Sequence, residues 1–336
     1  MENLSIDRAP YGRLRESDGT NSTRVPAEYN GNTYYDLPAL NPSHYGQLVA
    51  TYLFIGGIAG ASQVIATIVD LRGSGKTQFV VRAGRYLAIA GMVSGPAFLI
   101  ADLHVPERWY NMLRIFRRTS SMSIGSWTLA FFGTMSALTA AAQFLADRSG
   151  SRRYLRVARL LSLPATAGGA VVATYTGTLL GATSTPFWAA ASRLLPALFG
   201  TSAVVTSTAA LSSAAELADA NVDVKKGLRR LAIIGGAVEL LIESALERSL
   251  KEKKVDTPLN DSRITAAQSF GYKGLGLVAP LIINSLILLS GRRSRRLSLA
   301  ASAAALVGGY IMRSVMLAAG RKSADYPRDY FNYTKD

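Results

Sequence analysis

The chain has no cysteine in 336 residues. Without thiols it forms no disulfide and holds no iron–sulfur cluster through cysteine ligands. Histidine is almost missing too, with only His44 and His104. These two lie on either side of two apolar stretches rather than facing across one layer, which argues against a bis-histidine haem. No spacing of His, Asp and Glu forms a metal-ligand cluster. Charge is scarce at 18% of residues against 49% hydrophobic, with a mean hydropathy of +0.18. A soluble domain of this length carries more charge. The first 47 residues are polar and lack an apolar run. A cleavable signal peptide is therefore not expected, and the first apolar stretch is expected to act as an uncleaved insertion signal.

What the chain does have is clustered apolar sequence. Eight stretches, at 48–70, 83–103, 122–145, 157–181, 187–215, 228–247, 272–290 and 297–319, each approach the ~20 residues that cross ~30 Å of hydrocarbon. All are predicted to be helices, because lipid offers no water to an open backbone. Small residues pervade them, as at Gly56, Gly57, Gly60, Gly168 and Gly169, so the helices are expected to pack closely rather than enclose an open pore. Pro96, Pro164, Pro196 and Pro280 fall inside stretches and predict kinks.

The net charge of +15 and pI near 10.1 would point to nucleic acid in a soluble protein. Here the basic residues sit between apolar stretches. Four short loops carry them, including Arg72, Lys76 and Arg82; Arg148, Arg152, Arg153 and Arg156; Lys225, Lys226, Arg229 and Arg230; and Arg292, Arg293, Arg295 and Arg296. By the positive-inside rule these loops are cytoplasmic and both termini lie outside. The segment Arg72-Gly-Ser-Gly-Lys-Thr77 resembles a phosphate loop only superficially. It lacks the full spacing and joins two membrane stretches instead of a strand and a helix.

With that topology, unusual residues converge on the outer side. Tyr52, Tyr175, Asp102, His104, Trp127 and Arg193 are scattered in sequence but level in depth. A quinone suits such a cluster. It needs an apolar slot, hydrogen-bond donors at its carbonyls, and a group that relays protons. Tyrosine and tryptophan also form belts at membrane interfaces with no ligand, so both readings stand. The loop after the second stretch also has two readings. Pro106, Glu107, Arg108, Trp109 and Tyr110 are either a docking face, being rich in residue types found at interface hot spots, or an interfacial loop set among lipid headgroups. Glu239, Glu243 and Glu247 recur every fourth residue on one helical face. Buried in a membrane they mark a proton path through Glu239 and Glu243, or they are neutral or paired, with Lys273 or Arg313 as partners. Asp70 and Arg85 are expected to form a helix-end pair. Arg193 is expected to snorkel outward or to meet Asp102.

Four segments carry a family resemblance. They are Tyr34-Tyr-Asp-Leu-Pro38 followed by Phe54-Ile-Gly-Gly-Ile-Ala-Gly60; Asp102-Leu-His-Val-Pro-Glu-Arg-Trp-Tyr-Asn-Met-Leu-Arg114; Ser121-Met-Ser-Ile-Gly-Ser-Trp127; and Tyr175-Thr-Gly-Thr-Leu-Leu180 with Pro186 and Trp188 after it. A terminal Gly308-Gly-Tyr-Ile-Met-Arg313 also fits, so the likeness runs over roughly residues 34–320. The chain resembles the NrfD/PsrC family, the membrane subunits of polysulfide-reductase-like and related molybdopterin oxidoreductases. The resemblance implies an all-α integral membrane protein with eight transmembrane helices in two four-helix bundles. Residues 1–47 would form an extramembrane tail, 48–181 the first bundle with a quinone site, 187–320 the second bundle, and 321–336 a second extramembrane tail.

It also implies an exchangeable quinone or quinol near Tyr175, with Tyr52 where the family can place a histidine, and with His104 and Asp102 nearby. His104 stands where the family usually has glycine and Val105 where it has arginine. Electrons would pass to a ferredoxin-like iron–sulfur partner subunit and on to a molybdopterin catalytic subunit. This chain would itself hold no haem, cluster or metal, carry no catalytic residue, and sit in a bacterial or archaeal plasma membrane without binding nucleic acid. The rivals are a purely structural anchor and a proton- or ion-translocating subunit. The topology has a direct check: Ser294→Cys should stay shielded from impermeant thiol reagents in intact cells, and ready labelling would reverse the orientation.

Overall fold

The computed structural model describes residues 40, 43–73, 75–103, 105–291 and 294–334. The Tyr34–Pro38 segment and His104 lie outside these described residues. Among those described there is no strand. The long helices are α1 (Gln47–Leu71), α2 (Gln78–Ala101), α3 (Ser121–Ser149) and α4 (Arg152–Gly181), a short α5 (Pro186–Ala190), then α6 (Leu195–Leu217) and α7 (Val222–Glu252). A short α8 (Ser262–Ala266) runs through a π-helical segment (Ala267–Val278) into α9 (Ala279–Ser290). Next come α10 (Arg295–Asp325) and α11 (Pro327–Thr334). Side-chain oxygens cap many N-termini, as where Asp261 accepts from the amides of Arg263 and Ile264.

Seven helices among the described residues are long and apolar enough to cross a membrane: Gln47–Leu71, Gly75–Ala101, Ser121–Ser149, Arg152–Gly181, Leu195–Leu217, Ser262–Ser290 and Arg295–Ala324. Their outward surfaces carry large bare side chains such as Leu289 and Phe270, 85% and 79% exposed. Apolar exposure on that scale needs lipid, not water. The expected sixth span is the helix α7, whose 31 residues reach far enough. Its many charged residues keep it out of the apolar set.

Two expectations from proline fail for one reason. The stretch 187–215 was expected to be continuous, with a kink at Pro196. The helix instead breaks after α5, and Pro196 sits in the first turn of α6. Proline has no N–H, and the first turn of a helix needs none. Pro280 likewise opens α9 behind the π-helical segment instead of kinking an α-helix. Pro96 and Pro164 do lie inside α2 and α4. The expected C-terminal tail begins as a continuation of α10.

Helix α1 packs on α2 and α4, and α3 packs on α4 and α2. Helices α6, α7, α9 and α10 contact one another, while α6 and α10 also rest on α1. The α1–α4 contact is closest at Gly60 and Gly169. A Cβ on Gly169 would meet the Gly60 carbonyl oxygen at 2.8 Å, and one on Gly60 would clash with the Gly169 carbonyl. Such approach supplies the dispersion that holds helices together in lipid. Gly276 and Gly308 do the same between the π-helical segment and α10. Gly169→Val should therefore destabilise the fold by about 1–3 kcal/mol or more. Gly227→Ala, whose Cβ would meet nothing within 4 Å, should not; thermal unfolding in detergent compares the two.

Candidate functional site

Helix directions put the 72–77 turn, the 149–152 turn, the 217–222 turn and the 290–295 turn at one end of the molecule. At the other end lie the start of α1, the 102–120 loop, α5, the 253–261 loop and α11. The candidate site belongs to this second end. Tyr52 enters α1 about five residues, and Tyr175 lies about six residues from the end of α4, so each is ~7–9 Å deep by the helical rise. Their hydroxyls are close enough to interact, and Tyr45 lies beside Tyr175. Tyr52 is 3% exposed and Tyr175 is half-buried.

Helices α2 and α3 face the rings with glycines, of which Gly125 makes room that a side chain would take. The Tyr52 ring lies 3.8 Å from where a Cβ on Gly95 of α2 would stand. The Tyr175 phenol packs directly on Gly125 of α3, where any side chain would displace it. All four helices α1–α4 thus contribute a wall. Above the phenols, Asp102 ends α2 against Gly46, with its Oδ1 3.8 Å from a Cβ built there. The Tyr45 ring leans on Trp188 at 6.0 Å between centroids. Trp188 is fully buried and donates its indole N–H to the Met316 carbonyl at 2.9 Å, which ties α5 to α10.

The structure brings Tyr52 and Tyr175 together with Asp102 at the rim. It turns Trp127 away from the cluster: Trp127 is 41% exposed and meets Phe116 edge-on at 6.2 Å. Arg193 is exposed. Being level in depth does not make residues neighbours, since the helix face also decides. Tyr45 was missed because it precedes α1 in extended chain, where no helical period relates it to Tyr52.

Pro106, Glu107, Arg108, Trp109 and Tyr110 are all exposed in a 3-10 turn spanning Pro106–Leu113. This loop is held by α3. Ser123 accepts from the Arg117 amide at 3.0 Å and donates to the Ile115 carbonyl at 3.1 Å. Trp109 and Tyr110 are thus presented outward on an anchored loop at the same end of the molecule as the tyrosine pair.

A second polar cluster lies deeper. Arg313 of α10 is fully buried and donates to the carbonyls of Leu53 at 3.2 Å and Gly309 at 2.7 Å, and to Ser202 at 3.2 Å. Its guanidinium sits over the rings of Phe54 and Phe199, and Gly57 leaves the space for it. Arg313 attracts Glu239, which accepts from the Tyr272 hydroxyl at 3.0 Å. Glu243 accepts from Gln268 at 2.8 Å, and the same amide reaches Glu247 at 2.8 Å. Lys273 pairs with Glu247, not with the two deeper acids. Glu239 and Glu243 are each left with one oxygen lacking a hydrogen-bond partner. Asp70 and Arg85 pair at 2.8 Å at the opposite end of the molecule, as expected, and Arg159 joins them.

A comparison with curated proteins gave no match. The family model described as "Polysulphide reductase, NrfD" matches residues 37–323, nearly all of the chain and every element described above except the last helix. With seven helices apolar enough to cross a membrane and that match over most of its length, the chain is a multi-pass membrane protein that belongs to the NrfD family.

Proposed function

We propose that the chain is the quinone-exchanging membrane anchor of a multisubunit oxidoreductase. The observation that carries this reading is the Tyr52–Tyr175 pair, sunk among α1–α4 below Asp102 at the end of the molecule that also presents an anchored loop of exposed aromatics. A quinone presents two carbonyl oxygens and takes up two protons with two electrons. Tyr175, half-buried where Tyr52 is sealed, is the hydroxyl best placed to donate to one carbonyl. Tyr52 orients Tyr175 from behind. Asp102 at the rim can accept and release protons toward water. The glycine-lined walls exclude water and favour an apolar ring. Tyrosine stands where the family can place a histidine, so this position donates one hydrogen bond but cannot hold a second proton as imidazolium.

With no cysteine in the sequence, electrons need a cluster held by another polypeptide. We place a ferredoxin-like iron–sulfur subunit on Pro106, Glu107, Arg108, Trp109 and Tyr110, with a molybdopterin catalytic subunit beyond it. The α7 helix completes eight spans in two four-helix bundles, α1–α4 and the later helices. Its charges are tolerated because Glu239 and Glu243 face Tyr272, Gln268 and the Arg313 side rather than lipid. The basic turns face the cytoplasm of a bacterial or archaeal cell, and both termini face outward.

A second reading is favoured by one observation, the buried string of Arg313, Glu239, Tyr272, Glu243 and Gln268. It supports a proton path, making the subunit a translocator as well. The purely structural anchor is the remaining rival. Tyr175→Phe should slow quinone-linked turnover roughly tenfold, the worth of about one hydrogen bond, while the complex still co-purifies. Unchanged turnover would remove Tyr175 from the site. A tight-binding quinone analogue that fails to inhibit would favour the structural anchor. Glu239→Gln should abolish proton release linked to turnover if the string conducts, and leave it intact if the string only packs.

A further inference from the structure

At the end of the molecule opposite the tyrosine pair there is a cavity of about 240 Å³, lined by Asp70, Gln78, Arg85, Leu155 and the arginines 152, 156 and 159. That is room for several water volumes at ~30 Å³ each. Four arginines and one carboxylate line it. The carboxylate is already spent. Asp70 accepts from Arg85 at 2.8 Å through Oδ2 and from Arg159 at 2.8 Å through Oδ1. A cation finds no free acid there.

The guanidinium of Arg85 is 1% exposed, donates to Gln143 at 2.5 Å and to Asp70, and leaves its Nε without a partner. That Nε is sealed from the cavity, but the buried Arg85 charge still adds to the positive potential of the cavity floor. Arg152 and Arg156 are exposed and form no ion pair with a carboxylate among the described residues. They stand one turn apart at the start of α4, whose first turn holds no acidic residue. Like charges at that spacing repel, and cations oppose the positive end of the helix dipole. A bound anion removes both penalties together.

Position narrows the anion. Helices α2 and α4 both start at this end, and side chains lean back toward a helix's N-terminus. Arg85 and Arg159, each seven residues in, therefore reach up to Asp70 at the last turn of α1. The cavity opens at the level where an apolar span gives way to a basic turn, and Leu155 forms an apolar part of its rim. That is headgroup depth.

We propose that this cavity binds a phosphate oxyanion carried by an anionic phospholipid headgroup. Arg152 and Arg156 clamp the phosphate from the rim, and the buried Arg85 charge attracts it from below. The full-length protein in phosphatidylcholine nanodiscs doped with phosphatidylglycerol should retain phosphatidylglycerol in native mass spectrometry. The Arg152→Gln, Arg156→Gln double variant should lose that retention roughly tenfold or more. The Arg148→Gln, Arg153→Gln double variant, outside the cavity, should keep it. Thermal unfolding in pure phosphatidylcholine reports whether each variant is folded. Should the first fail that check, Leu155→Glu, which adds a carboxylate at the rim, carries the same expectation. Inorganic phosphate that raises the unfolding temperature of wild type but not of the cavity variant would assign the same site to free phosphate. Equal phosphatidylglycerol retention by the wild-type and cavity variants, or equal loss in both double variants, would overturn the proposal.

Discussion

The candidate site depends on one backbone contact, where Gly60 of α1 lies against Gly169 of α4. The two helices run antiparallel, so that contact sets their relative height. Tyr52 is eight residues above Gly60 and Tyr175 six above Gly169. At ~1.5 Å per residue both phenols arrive ~9–12 Å from the contact, at nearly one level. A side chain at either glycine would hold the helices apart and separate the hydroxyls. Gly125 repeats the device on α3, vacating the space that the Tyr175 ring occupies. Lipid gives helices no hydrophobic reason to associate, so the close packing that stabilises the bundle is the same packing that shapes the site.

Charge inside this apolar scaffold follows a single rule. Asp70, Arg85, Arg313, Glu239 and Glu243 are all nearly or fully buried, and each is met by other polar groups. Desolvating a charge costs several kcal/mol, which a partner's attraction and full hydrogen bonding repay only in good geometry. Asp70 is saturated by two arginines. Arg313 has three acceptors and two aromatic faces. Glu239, Glu243 and Arg85 are the incomplete cases, each with an idle polar atom. An unmatched polar atom buried in this way carries a desolvation cost that its neighbours do not repay.

Parts of this were legible in sequence for clear reasons. Membrane spans are an average property of ~20 residues, and averages survive ignorance of neighbours. The pairing of Asp70 with Arg85 followed from both lying at the ends of consecutive spans. The 106–110 loop was legible because aromatics and arginines cluster there without a hydrophobic period. The break between α5 and α6 was not, because composition is continuous across 187–215 while Pro196 only restarts a helix. Trp127 was drawn into the cluster because depth can be counted along a chain but azimuth cannot.

From residues alone came the helical, lipid-embedded character of the chain, its basic turns at one end and its lack of any thiolate ligand, since each is a matter of composition and local order. Which tyrosines meet, which arginine surrounds Asp70 besides Arg85, and which glutamates face Tyr272 and Gln268 was decided only by the tertiary structure. Helix rotation and crossing are set by glycine contacts between segments from about thirty to more than a hundred residues apart, as at Gly276–Gly308 and Gly60–Gly169, and no local window contains both halves of such a contact.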